Sequence, residues 1–253
     1  MVVHSGRVRL TILGGCGGWP EAGGACGGYL LERDGFRLLI DPGYATAPRL
    51  FGLMPAPAVD AVLVSHGHPD HCADLNPLLR ARAMADEPPG ALPAYAPPGA
   101  LNAVLALEPT GFLHSAVVVH DLLSDQVVHI GPFAVETRSL PHFVPNLGLR
   151  ISAGDRAMMY TGDSGPSPDV VALAGGVDLM LAEATEPEEL PTDLIGQLST
   201  AIDAGAQAAQ AGAGRLVLTH LWPGTDPERA RAAAASRYGG AISVARPGLS
   251  YDW

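Results

Sequence analysis

The chain has 253 residues, 47% of them hydrophobic, enough for one large α/β domain or two small ones with a sizeable core. Its formal net charge is -11 and all its strong cations are arginines, a balance that disfavours gripping nucleic acid through phosphates. No stretch approaches the roughly 20 apolar residues of a membrane span, and residues 1–7 lack the layout of a secretory signal, so we expect a cytoplasmic protein without a membrane partner.

Strand-like runs alternate with helical ones, without an internal repeat. Residues 7–13, 27–32 and 36–40 read as opening strands, with Asp34-Gly35 as the hairpin turn between the last two. The apolar run 59–64 leads into a cluster of histidines. A helix over 71–85 follows, then a Pro-rich connection over 87–99 and a helical stretch over 100–107. Residues 116–120, 126–130, 134–139, 148–152 and 157–160 give a second set of strands. A helix from Ser167, a strand over 178–182, a helix over 199–211, a strand over 215–219 and an Ala-rich helix over 226–237 complete the order. Strands followed by helix occur twice, which fits an α/β protein; periodicity alone does not fix its architecture.

The histidine cluster is Ser65-His66-Gly67-His68-Pro69-Asp70-His71. Neutral imidazole and carboxylate suit zinc and similar divalent ions. In an extended stretch His66 and His68 point to one side, whereas Asp70 and His71 begin the next turn and face another position. The spacing therefore predicts two neighbouring ions rather than one, although Asp70 also fits the N-cap of the helix that follows. The missing ligands must come from other strand ends, where α/β folds place functional residues. His142 after strand 134–139, Asp163 in Tyr160-Thr161-Gly162-Asp163-Ser164-Gly165, and His220 after strand 215–219 are the candidates.

With these residues the chain resembles the metallo-β-lactamase-fold hydrolases, whose His-x-His-x-Asp-His motif is matched in full by His66, His68, Asp70 and His71. The resemblance spans nearly the whole chain and implies a single domain over 1–253 built as a four-layer αββα sandwich. It implies that His66, His68 and His142 bind one metal ion, that Asp70, His71 and His220 bind a second, and that Asp163 bridges both. Two divalent ions are thus expected, zinc first, with manganese or iron accepting the same donors. Such cations, roughly 3.5 to 4 Å apart, share a hydroxide and stabilise both oxygens of an in-line displacement, with Asp70 orienting the nucleophile. The imidazoles must be neutral to bind, so activity should fall in acid.

The Gly-rich segment from Leu13 to Pro20 and Asp41-Pro42-Gly43 look like the branch containing ribonuclease Z, phosphonate-pathway phosphodiesterases and cyclic-nucleotide phosphodiesterases. Two departures from ribonuclease Z matter. The segment between His142 and Asp163 has room for two strands but not for the arm that grips transfer RNA in that family, so tRNA is not an expected partner. Glu183-Ala184-Thr185 is present, but Gln197 stands in the place of the histidine that assists the leaving group. Gln197 can donate a hydrogen bond to a phosphoryl oxygen but cannot deliver a proton; it equally fits a cap for the helix near Ser199. Glu183 reads as a carboxylate that orients a neighbouring helix or ligand.

The short form, with Gly196-Gln197-Leu198-Ser199 and Leu218-Thr219-His220-Leu221-Trp222-Pro223, most resembles compact bacterial enzymes related to cyclic-AMP phosphodiesterases. A small-molecule phosphodiester is the substrate this implies. Hydrolysis of a lactone, thioester or other small ester, or a non-catalytic metal-binding role, are the alternatives. Trp19, Tyr44, Phe143 and Trp222 are loop aromatics expected near the metals, any of which could stack on a base. Arg150 is a candidate contact for an anionic substrate. His4, His114, His120 and His129 have no site spacing, and Cys72 reads as a buried thiol beside the motif. Cys16, Cys26 and Cys72 give no disulfide framework and fit a reducing compartment. The apolar segments 51–57 and 88–98 read as loops that cover a substrate entrance or the partner in a homodimer.

Overall fold

The computed structural model describes residues 6–113 and 115–253; the readings of His4 and His114 lie outside them. Strands β1 (Arg9–Gly14), β2 (Gly28–Arg33), β3 (Phe36–Ile40), β4 (Ala61–Leu63), β5 (Leu92–Ala96) and β6 (Val117–Asp121) belong to one sheet. A second sheet holds β7 (Val127–Ile130), β8 (Phe133–Leu140), β9 (Asn146–Ala153), β10 (Arg156–Tyr160), β11 (Leu179–Glu183), β12 (Arg215–Thr219) and β13 (Ala241–Val244). The last strand, β14 (Ser250–Asp252), returns to the first sheet beside β1. Each sheet begins as an antiparallel meander and continues as parallel strands, β3 to β6 in one and β10 to β13 in the other. Asp34 and Gly35 both have positive φ, 51° and 85°, the hairpin geometry that matches strand twist between β2 and β3.

Helices α1 (Ala47–Leu53), α2 (Pro69–Cys72), α3 (Leu75–Ala83) and α4 (Asn102–Leu105) pack on the outer face of the first sheet, with Leu50, Leu75, Leu78, Leu79 and Val104 against Leu30, Leu39, Val62 and Ala94. Helices α5 (Pro168–Leu173), α6 (Ala201–Ala211) and α7 (Pro227–Ala235) cover the second sheet. Between the sheets lies the central core, in which Leu10, Ile12, Tyr29 and Leu31 meet Phe133, Leu149, Ile151 and Tyr160. The architecture is an αββα sandwich of four layers.

The structure corrects several readings of the sequence. The Pro-rich stretch 88–98 is not a covering loop: it contains β5, an interior strand between β4 and β6. Proline is tolerated there because Leu92 and Ala96 bond to the β6 side, which turns the position of Pro93 towards β4. Pairing with β4 starts only at Ala94, so the missing N–H interrupts no ladder. Segment 51–57 holds the end of α1 and a 3₁₀ turn over Ala56–Ala58. The single helix expected over 71–85 is two, α2 and α3, broken at Ala73–Asp74 where Asp74 accepts from the Ala47 N–H. No helix among the described residues is long and apolar enough to cross a membrane.

Candidate metal centre

Strands β3, β4, β8, β10, β11 and β12 all end at one edge of the sandwich, and the polar residues that follow them converge. The turn after β4 supplies His66, His68, Asp70 and His71; the second sheet supplies His142 after β8, Asp163 after β10 and His220 after β12. All seven residues singled out in the sequence meet here. Their donor atoms fall into two sets, His66, His68, His142 and Asp163 in one, and Asp70, His71, Asp163 and His220 in the other; within each set they lie within 4.8 Å of one another. Asp163 belongs to both. Its Oδ1 is 3.1 Å from His71 Nε2, and its Oδ2 is 3.1 Å from His220 Nε2 and 3.7 Å from His66 Nε2. His68 Nδ1 lies 3.1 Å from His142 Nε2. Asp70 sits inside the first turn of α2 without capping it; its Oδ2 accepts from Gly18 N–H at 2.8 Å and lies 3.3 Å from His220 Nε2.

A surrounding layer of hydrogen bonds fixes which ring nitrogen faces inward. His71 Nδ1–H donates to Asp41 Oδ2 at 2.8 Å. Ser65 Oγ–H also donates to Asp41, at 2.5 Å, so its lone pair is free to accept from His66 Nδ1 at 3.0 Å. Thr185 Oγ1–H donates to Glu183 Oε2 at 2.9 Å and accepts from His220 Nδ1 at 3.1 Å. His142 Nδ1–H donates to the Gln197 carbonyl at 3.1 Å. Four rings thus turn their Nε2 atoms towards Asp163 and Asp70. In this arrangement ring nitrogens face carboxylate oxygens in a buried space, and among the described residues His66 Nε2, His71 Nε2 and Asp163 Oδ1 have no hydrogen-bond partner. Buried polar atoms without partners are costly, and divalent cations satisfy this set of nitrogen and oxygen donors.

Without cations, these imidazoles and carboxylates shift one another's titration. Burial pushes His66 and His142 below the ordinary imidazole value. Burial also opposes charge on His71 and His220, but Asp163 and Asp70 outweigh it and raise both. Burial likewise opposes ionisation of Asp70 and Asp163, yet the facing imidazoles hold both carboxyls well below the usual range. In the metal-free protein the charge on His71 and His220 stabilises the fold fully below the unfolded imidazole value of 6.5 and is lost as pH rises through the raised native values. Cations must displace those protons. Adding zinc to chelator-stripped protein in weak buffer at neutral pH is expected to release protons, and zinc affinity to fall as pH drops; a titration showing no release would mean that these imidazoles were already neutral.

The sequence did not assign a role to Asp41, Ser65 or Tyr160. Asp41 is fully buried and accepts four hydrogen bonds, from Ser65 N–H, Ser65 Oγ–H, His71 and Tyr160 O–H, the last at 2.8 Å across the sheet interface. Its position after the apolar β3 was the available signal. Its φ of 44° and the φ of 60° at His220 are strained left-handed conformations at functional strand ends. Gly43 is required because a Cβ there would lie 1.8 Å from the Asp70 carbonyl oxygen. Glu183 orients its neighbours, accepting from Ser164, Thr185 and Ser199 N–H groups. Gln197 does not cap α6: Thr200 does, in a reciprocal capping box with Asp203. Arg150 does not approach the centre; it donates to the Leu173 and Gly175 carbonyls at the end of α5. Cys72 is buried, with its thiol on the His68 carbonyl, and His120 stacks on Tyr95.

A model of the β-lactamase superfamily domain matches residues 36–221. The chain belongs to this superfamily. Among relatives with the metallo-β-lactamase fold, YhfI of Bacillus subtilis, a probable metallo-hydrolase, is 30% identical over 97% of this chain and 100% of its own. The YhfI crystal structure has a TM-score of 0.89 at 29% identity, covering 98% of this chain and 100% of that one. Ribonuclease Z of Mycobacterium bovis is 27% identical over 94% of this chain and 95% of its own. The structure of yeast PDE1 shares the fold, with a TM-score of 0.77 at 13% identity over 96% of this chain and 98% of that one. The superfamily and the donor cluster make this a metal-dependent hydrolase.

Proposed function

We propose that the chain is a dinuclear phosphodiesterase acting on a small phosphodiester, a cyclic nucleotide in particular. The observation that carries this reading is the pair of donor sets joined at Asp163, with aromatic residues in the loops that carry the donors. Trp19 follows Gly18, whose N–H holds Asp70; Phe143 follows His142; Trp222 lies two residues beyond His220. Trp19 is 51% and Phe143 54% exposed, and the Trp19 and Trp222 rings are 5.9 Å apart, tilted by 42°. An exposed ring in these loops offers a nucleobase a face to stack on. Between His142 and Asp163 the chain forms β9, β10 and the short turn between them, with no arm for a folded RNA. The -11 charge also favours a small substrate.

Two divalent cations, when bound, supply a water of lowered pKa and positive charge opposite the developing phosphoryl charge. Asp70, steadied by Gly18, orients the attacking water. Asp41 and Thr185 keep His71 and His220 in the tautomers whose Nε2 atoms face the centre. On this reading the half-buried side chain of Gln197 donates a hydrogen bond to the substrate, while its carbonyl fixes His142. Because an amide cannot protonate a leaving oxygen, bis(p-nitrophenyl) phosphate should turn over faster than unactivated diesters. The reaction takes place in the cytoplasm on this reading.

The test is hydrolysis of that compound and of cyclic AMP by metal-loaded protein. Trp19→Ala is expected to raise KM for cyclic AMP by about tenfold, the loss of roughly one stacking contact, with kcat nearly unchanged. Turnover of lactones or thioesters, with neither phosphodiester cleaved, would replace this reading with the ester-hydrolase alternative.

A further inference from the structure

Asp163 has the most exacting task in the centre, because one carboxylate must offer an oxygen to each donor set. It stands on the turn 161–165. After Asp163 that turn is well held: Glu183 accepts from Ser164 N–H, the Pro141 carbonyl accepts from Gly165 N–H, and the Ser199 hydroxyl donates to the Ser164 carbonyl. Before Asp163 the main chain offers less. The β9–β10 ladder ends at the pair Leu149 and Tyr160, and Glu183 N–H bonds to the Thr161 hydroxyl oxygen instead of the Thr161 carbonyl. The donor that reaches this carbonyl is the side chain of Asn146, whose Nδ2 lies 3.0 Å from it.

Asn146 opens β9 and is 1% exposed. Its Oδ1 has no hydrogen-bond partner among the described residues, and turning the amide over would set that oxygen against the Thr161 carbonyl. A buried amide with one end unsatisfied is a costly choice over an apolar side chain, so its worth here lies in the N–H. The next residue adds a second tie: Leu147 N–H donates to the Ser65 carbonyl at 3.0 Å, across the sheet interface and directly before His66. His142 lies four positions before Asn146, on the connection from β8 to β9. One dipeptide thus grips the segments that carry His66 and Asp163 and follows the one that carries His142. Gly162 completes the fit: its φ is 57°, and a Cβ there would lie 2.3 Å from Asn146 Oδ1.

We propose that Asn146 is a positioning residue for the bridging carboxylate. By donating to the Thr161 carbonyl it fixes the turn that aims Asp163 at both donor sets, and through the Leu147 N–H the same point of β9 keeps that turn at its distance from His66. The inference rests on the two donor sets and not on the substrate, so it stands or falls apart from the phosphodiesterase reading.

Zinc binding tests it, measured on the chelator-stripped full chain by competition with a chromophoric chelator, at a temperature where circular dichroism shows each variant folded. Asn146→Leu keeps the volume and Asn146→Ala leaves a cavity; both lose the N–H, and both should bind zinc about 10–100-fold more weakly. Arg150→Met, farther along the same strand, removes bonds to the Leu173 and Gly175 carbonyls; it should lower Tm without loosening zinc, which separates positioning from general stability. Gly162→Ala should weaken zinc by displacing the Asn146 amide, and the double variant Asn146→Ala, Gly162→Ala should lose less than the two single losses combined. Wild-type zinc affinity in a folded Asn146 variant or in Gly162→Ala would overturn the proposal, as would an equal loss in Arg150→Met or strict additivity in the double variant.

Discussion

Asp163→Asn is expected to lower phosphodiester turnover by on the order of a thousandfold or more, because it removes the anion shared by both donor sets. The substitution keeps volume and one carbonyl oxygen, so the fold should survive, as circular dichroism would show. What changes is charge: Asp163 Oδ2 lies 3.1 Å from His220 Nε2 and Oδ1 lies 3.1 Å from His71 Nε2. Metal content by mass spectrometry should fall together with activity. The raised pKa values of His71 and His220, which lean on this carboxylate, should move down, visible as histidine titrations by NMR in the metal-free variant. Full metal content with retained turnover would remove Asp163 from the centre of the scheme.

Asp41→Ala should be the most destabilising single change around the site. Four donors, Ser65 N–H, Ser65 Oγ–H, His71 Nδ1–H and Tyr160 O–H, lose their acceptor in a space closed to water. Each buried group without a partner costs about 1–3 kcal/mol, and removal of an anion from such a cluster about 3–5 kcal/mol in all. A fall of many degrees in Tm is the expected readout. Asp41→Asn, which keeps an acceptor oxygen, should recover much of the stability but hold His71 less firmly, with zinc affinity about 10–100-fold weaker. If Asp41→Asn matched wild type in both Tm and zinc affinity, Asp41 would have no positioning role.

The donor residues were legible because each is a polar side chain at the end of an apolar strand, and four of them crowd into one turn. Asp41 satisfied the same rule, but its task depends on β3 lying beside β4 and opposite Tyr160 of the other sheet, which spacing along the chain does not record. The contribution of Gln197 to His142 runs through a main-chain carbonyl, so side-chain identity could not disclose it. Strand β5 was hidden by Pro93 and the prolines that flank it, Pro93 being tolerable because it faces β4, which begins pairing only at Ala94. Strands β13 and β14 are short and partly exposed, without the apolar alternation that marks β1 or β8.

The donors are divided between the two layers: His66, His68, Asp70 and His71 on one, His142, Asp163 and His220 on the other. The centre is therefore a clasp across a seam, and neither half of the chain can fasten it alone. A molecule whose layers have not yet docked presents only fragments of each donor set and has no means of hydrolysing anything. Reactivity is withheld until assembly is complete, so bound metal would lock the finished fold as well as serve its chemistry.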